Sequence, residues 1–313
     1  MERGIHGAVK AVAALFALLT AWVGFWAVVA GPGLMLHPRN PRLAMAERQI
    51  LRGGIYSRDG KPLAESAEGQ PRRWSGQAVH LVGYSDPRFG KSGLEAAFDQ
   101  VLLGLVEGTG LMRSVRLALG QRWQGWDLVT TIDFELQRAV EEALGGRTGA
   151  VVVLEPSSGE VLAMASSPRF DPNRLEEELN QPSVGSAFFN RATQGQYPPG
   201  SSFKPVVLAA ALESRVAAPG ALFDDAGSIT VDGRTIRNAG DAVHGLLALD
   251  DALAVSSNVV FAGLALEVGW EALRRVAEAL GFGAAPAPLG IPAAAGNLPE
   301  AGDVSAAALA EAG

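Results

Sequence analysis

Tyr197 to Pro205, YPPGSSFKP, sets Ser201 and Lys204 three residues apart behind two prolines and a glycine. On a helix that spacing puts both side chains on one face. The Tyr197-Pro-Pro-Gly lead-in cannot itself be helical, so a helix is expected to begin at Gly200 or Ser201. Pro205 is tolerated there because first-turn amides lack intrahelical partners. A serine at a helix N-terminus faces free N–H groups and the positive end of the macrodipole, which favour a carbonyl turning into an oxyanion. Its hydroxyl still needs a base. A lysine with its ordinary pKa of about 10.4 keeps its proton at neutral pH, and both desolvation and a positive helix end push that value down. Serine and lysine together can therefore act as nucleophile and base. Alone, the spacing also fits a solvated Lys204 and a capping Ser202.

A second polar cluster lies in AVSSNVVF, Ala254 to Phe261, between the apolar helical segments LLALDDALAV and VVFAGLALEV. Ser256 and Asn258 flank Ser257 there. Polar residues in such a break commonly cap helices. Paired with the upstream S-x-x-K, Ser256 fits a proton-relay hydroxyl and Asn258 an amide that holds a substrate carbonyl.

Composition narrows the chemistry. The net charge of -7 argues against a nucleic-acid partner, and the absence of cysteine excludes thiolate nucleophiles, thiolate metal sites and disulfides. His6, His37, His80 and His244 are scattered without ligand spacing, so no metal and no cofactor is expected.

Elements to position these residues are legible on both sides. Ala11 to Ala30 is an uncharged run of about twenty residues, long enough to cross a bilayer as a helix, with Trp22 and Trp26 as interfacial aromatics. A cleaved signal peptide with Arg3 and Lys10 as its basic region is the alternative, and a buried helix a third. GPGLMLHPRNPR reads as a linker, GGIYSRDGKPLAES as a hairpin turning at Asp59-Gly60, and KSGLEAAFDQVLLGL as one helix with Leu94, Phe98, Leu102 and Leu105 on its buried stripe. TTIDFELQRAVEEAL predicts a helix capped by Asp133 and stopped at Gly145-Gly146. GAVVVLEPSSGEVLAMASSP predicts a second hairpin whose near-continuous apolarity suggests strands buried on both faces. With helical segments from Ser201 onward, the expected class is α/β of the α+β type, a sheet covered by helices. The organisation expected is a head and transmembrane anchor over 1–33, a pedestal-like module over 34–127 and a larger domain over 128–313.

S-x-x-K followed by S-x-N is a pairing shared by penicillin-binding proteins and serine β-lactamases. The chain resembles a class B penicillin-binding protein, of the penicillin-binding protein A type, in collinear segments along nearly its whole length. RGGIYSRDGKPLA, GKSGLEAAFDQVLLG, LVTTIDFELQ, GAVVVLEPSSGEVLAMASSPRFDPN, FNRATQGQYPPGSSFKP and HGLLALDDALAVSSNVVFA carry it. The resemblance implies a peptidoglycan D,D-transpeptidase: Ser201 is acylated, Lys204 activates it, Ser256 relays a proton and Asn258 orients the peptide. It implies stem peptides ending in D-Ala-D-Ala and β-lactams as ligands, no cofactor, division or elongation proteins as partners, and a single-pass location in the plasma membrane with the bulk of the chain outside the cytoplasm.

The family's third motif, K-T-G, has no counterpart, since no lysine follows Lys204. A C-terminally incomplete domain with impaired activity is therefore expected. The alternatives are an inactive membrane-tethered scaffold for cell-wall machinery and a serine β-lactamase.

Overall fold

A computed structural model of the chain describes residues 2–26, 50–105, 116, 119, 121–180, 186–286, 290–300, 302 and 304–312. It divides into two compact units, Met1–Ala192 and Thr193–Gly313, of mixed α/β structure.

In the first unit, α1 (Glu2–Gly24) carries most of the apolar N-terminal run, with Leu15, Phe16, Leu19 and Trp22 exposed. No helix among the described residues is both long and apolar enough to cross a membrane. The end of the expected span, 27–30, and the linker, 31–42, lie outside the described residues. The first hairpin forms as expected. β1 (Ile55–Tyr56) and β2 (Pro62–Glu65) are antiparallel, and Gly60 turns between them at φ +77°. β3 (Arg73–Trp74) and β4 (Leu128–Val129) complete a four-stranded sheet ordered β3-β2-β1-β4.

The single helix expected from KSGLEAAFDQVLLGL is instead two, α2 (Gly93–Ala97) and α3 (Asp99–Leu102), broken at Phe98 with φ −107° and ψ 24°. Leu94 and Leu102 still reach the core, whereas Phe98 and Leu105 are only half-buried. Glu95 is fully buried too, and its carboxylate pairs with Arg52 (2.7 Å) and with Arg72. A carboxylate removed from water requires such partners, which accounts for a charge on the buried side of an apolar stripe.

α4 (Phe134–Leu144) has the expected ends. Asp133 Oδ1 accepts from the Leu136 amide (2.9 Å), and Gly145 closes the helix in the left-handed region. The helix lies on the second hairpin, β5 (Gly149–Leu154) with β6 (Val161–Ser167), where Gln137 exchanges hydrogen bonds with both backbone groups of Met164. The expectation of burial on both faces fails here. β6 is buried from Ala163 to Ser167, but β5 leaves Val152 42% and Leu154 53% exposed. Among the described residues these two strands pair only with each other, so β5 has no second strand along its outer edge.

The second unit begins its ordered elements with a tight 3-10 turn, Gly200–Phe203, that runs into α5 (Lys204–Glu213). β7 (Leu222–Asp225) pairs antiparallel with β10 (Gly245–Ala248), and β8 (Ser228–Val231) with β9 (Arg234–Arg237). Asp232 and Gly233, both at positive φ, make the two-residue β8–β9 turn. α6 (Leu249–Ala254), α7 (Asn258–Val268), α8 (Trp270–Ala279) and α9 (Ala306–Ala312) follow. LLA, read from sequence as helix, is the end of β10.

α7 is apolar around most of its circumference, the pattern of a helix enclosed by neighbours. Val260, Phe261, Leu264 and Ala265 from α7 meet Val206, Val207, Ala210 and Ala211 from α5 in the core, with Leu273 and Leu309 closing it. Each large apolar side chain so buried contributes roughly 1.5–3 kcal/mol. That packing fixes the start of α5 against the start of α7, the two places where the chemistry-bearing residues lie.

Candidate active site

The 3-10 turn is tighter than the α-helical start expected from sequence. Gly200 adopts φ +57°, a conformation that favours glycine, and the chain then closes with the Lys204 amide bonded to the Ser201 carbonyl. At three residues per turn, side chains three apart stack directly over one another. Ser201 is exposed, whereas Lys204 is 2% exposed. The Ser201 hydroxyl has no hydrogen-bond partner among the described residues, while the Ser202 hydroxyl bonds back to the Pro199 carbonyl (2.6 Å).

Lys204 Nζ sits in a cage of three oxygens: the Ser256 carbonyl (2.8 Å), Ser256 Oγ (3.0 Å) and Asn258 Oδ1 (2.6 Å). The Phe261 ring lies below it at 5.7 Å. Among the described residues no carboxylate compensates the charge, and burial pushes the Lys204 pKa below its ordinary value. All four residues singled out from sequence therefore lie in this unit, and Lys204, Ser256 and Asn258 are in direct contact.

The acceptor set has a chemical consequence. A carbonyl and an amide oxygen can only accept, so in the neutral amine they take both N–H bonds. The remaining lone pair is left for a hydroxyl proton. Ser256 Oγ can reverse between accepting from Lys204 and donating to it, as a relay group must.

Ser256 sits at φ +55°, an unfavourable region for a side chain with Cβ. The middle residue, Ser257, is the one that caps α7, its Oγ accepting from the Val260 amide (3.1 Å). Ser256 and Asn258 are thereby free to face Lys204. Sequence reasoning missed the groups behind this turn: buried Asp225, Asn238 and Phe261, and His244. Phe261 was visible only as an apolar helix residue. The three polar groups lie at the end of β7, just after β9 and just before β10, and the nearest signal was a capping serine with no acceptor assigned to it. Among the described residues no group of three or more His, Asp or Glu could hold a metal ion.

Residues 149–312 match the family described as the penicillin binding protein transpeptidase domain. The chain is 31% identical, over 91% of its length and 63% of the relative's, to the peptidoglycan D,D-transpeptidase PbpA of Mycolicibacterium smegmatis. Its fold matches penicillin-binding protein A of M. tuberculosis in a ceftriaxone acyl-enzyme complex with a TM-score of 0.75, at 29% identity over 85% of this chain and 65% of that one. It also matches a D,D-transpeptidase domain from Eggerthella lenta with a TM-score of 0.72, at 35% identity over 83% of this chain and 60% of that one. The chain spans a little under two thirds of the length of the curated relatives named PbpA. With its family's pattern matched over more than half of its residues, the chain belongs to the penicillin-binding protein transpeptidase family.

Proposed function

We propose that this chain carries the acyl-transfer half-site of a serine peptidoglycan D,D-transpeptidase, and that β-lactams acylate the same serine. The observation that carries the reading is the cage around Lys204, a buried amine held by two acceptor-only oxygens and one reversible hydroxyl. Ser201 Oγ attacks the carbonyl of the penultimate D-Ala, and its proton passes to neutral Lys204. The C–N bond to the terminal D-Ala breaks as a proton from Lys204 reaches the leaving amine through Ser256. An amine from a neighbouring stem peptide then attacks the ester, the C–O bond to Ser201 breaks, and the amine's proton returns to Ser201 Oγ by way of Lys204. Asn258 orients the peptide through its side-chain amide, and the Ser201 N–H donates to the oxyanion.

The stem peptide ending in D-Ala-D-Ala is the substrate in this reading. The domain that carries the chemistry runs from about residue 128, behind a pedestal-like module over 34–127. The exposed apolar residues of α1 support a seat in the plasma membrane, with the bulk of the chain outside the cytoplasm and within reach of division or elongation proteins.

The second reading is that of a tethered scaffold, in which Ser201 takes no acyl group. A chromogenic cephalosporin separates the readings. A single burst with one equivalent released and no turnover is expected of a transpeptidase acyl-enzyme. Sustained turnover is the outcome expected of a β-lactamase, and no release at all that of a scaffold.

A further inference from the structure

Behind the Ser256–Asn258 turn lies a second polar cluster. Asp225, at the end of β7, is fully buried. Its Oδ2 accepts from Ser257 Oγ (2.8 Å) and His244 Nδ1 (2.8 Å), and its Oδ1 from the Gly227 amide (2.9 Å) and Asn238 Nδ2 (2.7 Å). Asn238 Nδ2 also reaches Oδ2 (2.9 Å) and the Ala242 carbonyl (2.9 Å). An ionised carboxylate offers about four lone-pair sites, and here each has a donor.

Asn238 is buried as well, and its other end faces the catalytic turn. Its Oδ1 accepts from the amides of Asn258 (2.9 Å) and Val259 (3.3 Å). Asn258 Nδ2 meanwhile donates to the Arg237 carbonyl (2.8 Å), which directs Oδ1 of the same amide to Lys204. Asp225 thus grips the turn through Ser257, and Asn238 grips it through the backbone of Asn258.

We propose that Asp225 and Asn238 are positioning residues of the acylation site. They hold Ser256 in its left-handed conformation and Asn258 in its rotamer, so that the Ser256 carbonyl and Asn258 Oδ1 stay on Lys204 Nζ. Neither touches Lys204, Ser201 or a reacting atom. The inference rests on the functional reading above for its catalytic consequence, but not for its geometry.

The physical reason is that both gripped groups are under restoring stress. Serine does not favour φ +55°, and a buried amine surrounded by oxygens draws water unless the cage is rigid. A buried network with every member satisfied resists both. His244, with a quarter of its ring exposed, connects the carboxylate to the surface and must carry its proton on Nδ1 to serve as donor.

The test is a charge exchange in the full chain. Asp225→Asn turns a donor toward groups that are themselves donors, and Asn238→Asp sets two carboxylates against each other. The reciprocal double variant, D225N with N238D, again sets one carboxylate against one amide and keeps an acceptor for the Asn258 and Val259 amides, losing only the donor to the Ala242 carbonyl. Acylation by a fluorescent penicillin is resolved into the binding constant and the rate constant of the acylation step, with unfolding midpoints recorded alongside. Each single variant is expected to slow the acylation step about tenfold or more while changing binding by less than about threefold, as a small misplacement of a catalytic group does. The double variant is expected to recover most of that loss. Singles that acylate at the wild-type rate, or a double no better than its worse parent, would overturn the proposal.

A wild-type chain that takes no label would overturn the functional reading for this chain, and the positioning claim is then decided by magnetic resonance. The Lys204 ammonium, shielded from solvent exchange by its cage, is expected to give a visible proton–nitrogen correlation at mildly acidic pH. It should vanish in both singles and return in the double; an unchanged signal in all of them would overturn the claim. Should the single variants fail to fold, His244→Ala carries the test at a partly exposed position. It removes one donor from Asp225 and is expected to slow acylation about threefold, or weaken the Lys204 signal; no change in either would overturn the proposal.

Discussion

Two adjacent serines in this site have opposite duties, and substitution separates them. Ser257 is fully buried, donates to Asp225 and caps α7. Replacing it with alanine removes an N-cap, about 1 kcal/mol, and one donor to a buried carboxylate, about 1.5–3 kcal/mol. Because one oxygen makes both bonds, the two terms overlap, and the expected loss is about 2–4 kcal/mol. Ser256 is exposed and held at φ +55°. Alanine there keeps the backbone strain and leaves Lys204 two of its three acceptors, for a loss below about 1 kcal/mol. Glycine there relieves the strain and is expected to stabilise by about 1 kcal/mol. Urea denaturation followed by amide exchange in α7 reports on this unit alone. The order expected from most to least stable is Ser256→Gly, wild type, Ser256→Ala, Ser257→Ala. If Ser257→Ala unfolded within about 0.5 kcal/mol of wild type, or Ser256→Ala proved the more damaging, the division of duties would be wrong.

Three further outcomes follow from the same contacts. Burial alone would raise the Asp225 pKa, but hydrogen bonds from His244, Ser257, the Gly227 amide and Asn238 more than offset it and hold the carboxyl below its ordinary range. In the acid range the unfolded chain therefore binds more protons than the folded one. The stabilisation is present above the unfolded value of about 3.9 and is lost as pH falls through the folded one, so acid titration of the second unit should show a shallower slope for Asp225→Asn. His80, buried beside Phe170 with Nε2 on the Ala187 carbonyl (2.6 Å), has its pKa depressed by burial, against the opposing pull of that carbonyl. Stability of the first unit should fall as pH drops below about 6.5, and His80→Gln should remove that fall in thermal melts. Phe261→Ala, a fully buried truncation beneath Lys204, should cost about 3–5 kcal/mol in chemical denaturation.

Local signals carried much of the fold. The Asp133 cap, the Gly145 stop and the Asp59-Gly60 turn depend on a few neighbouring residues, and each lies where its chemistry demands. What depends on distant partners was hidden. The break at Phe98 gave no sequence signal, and the burial of Glu95 follows Arg52 and Arg72, which arrive from other elements. The exposure of Val152 and Leu154 depends on what packs over that face of β5, which an apolar run does not state. In the candidate site, Ser201, Lys204, Ser256 and Asn258 could be proposed from sequence because their spacings are short. Asp225, Asn238 and His244 were not, since each is an ordinary polar residue until the strands bring it behind Ser257.

Incubation with benzylpenicillin, followed by intact mass and peptide mapping, tests the assignment of Ser201 and Lys204 most directly. One adduct of the antibiotic's full mass is expected, on the peptide containing Ser201, absent from Ser201→Ala and strongly reduced in Lys204→Ala. An adduct on another residue, or one that survives in Ser201→Ala, would contradict it.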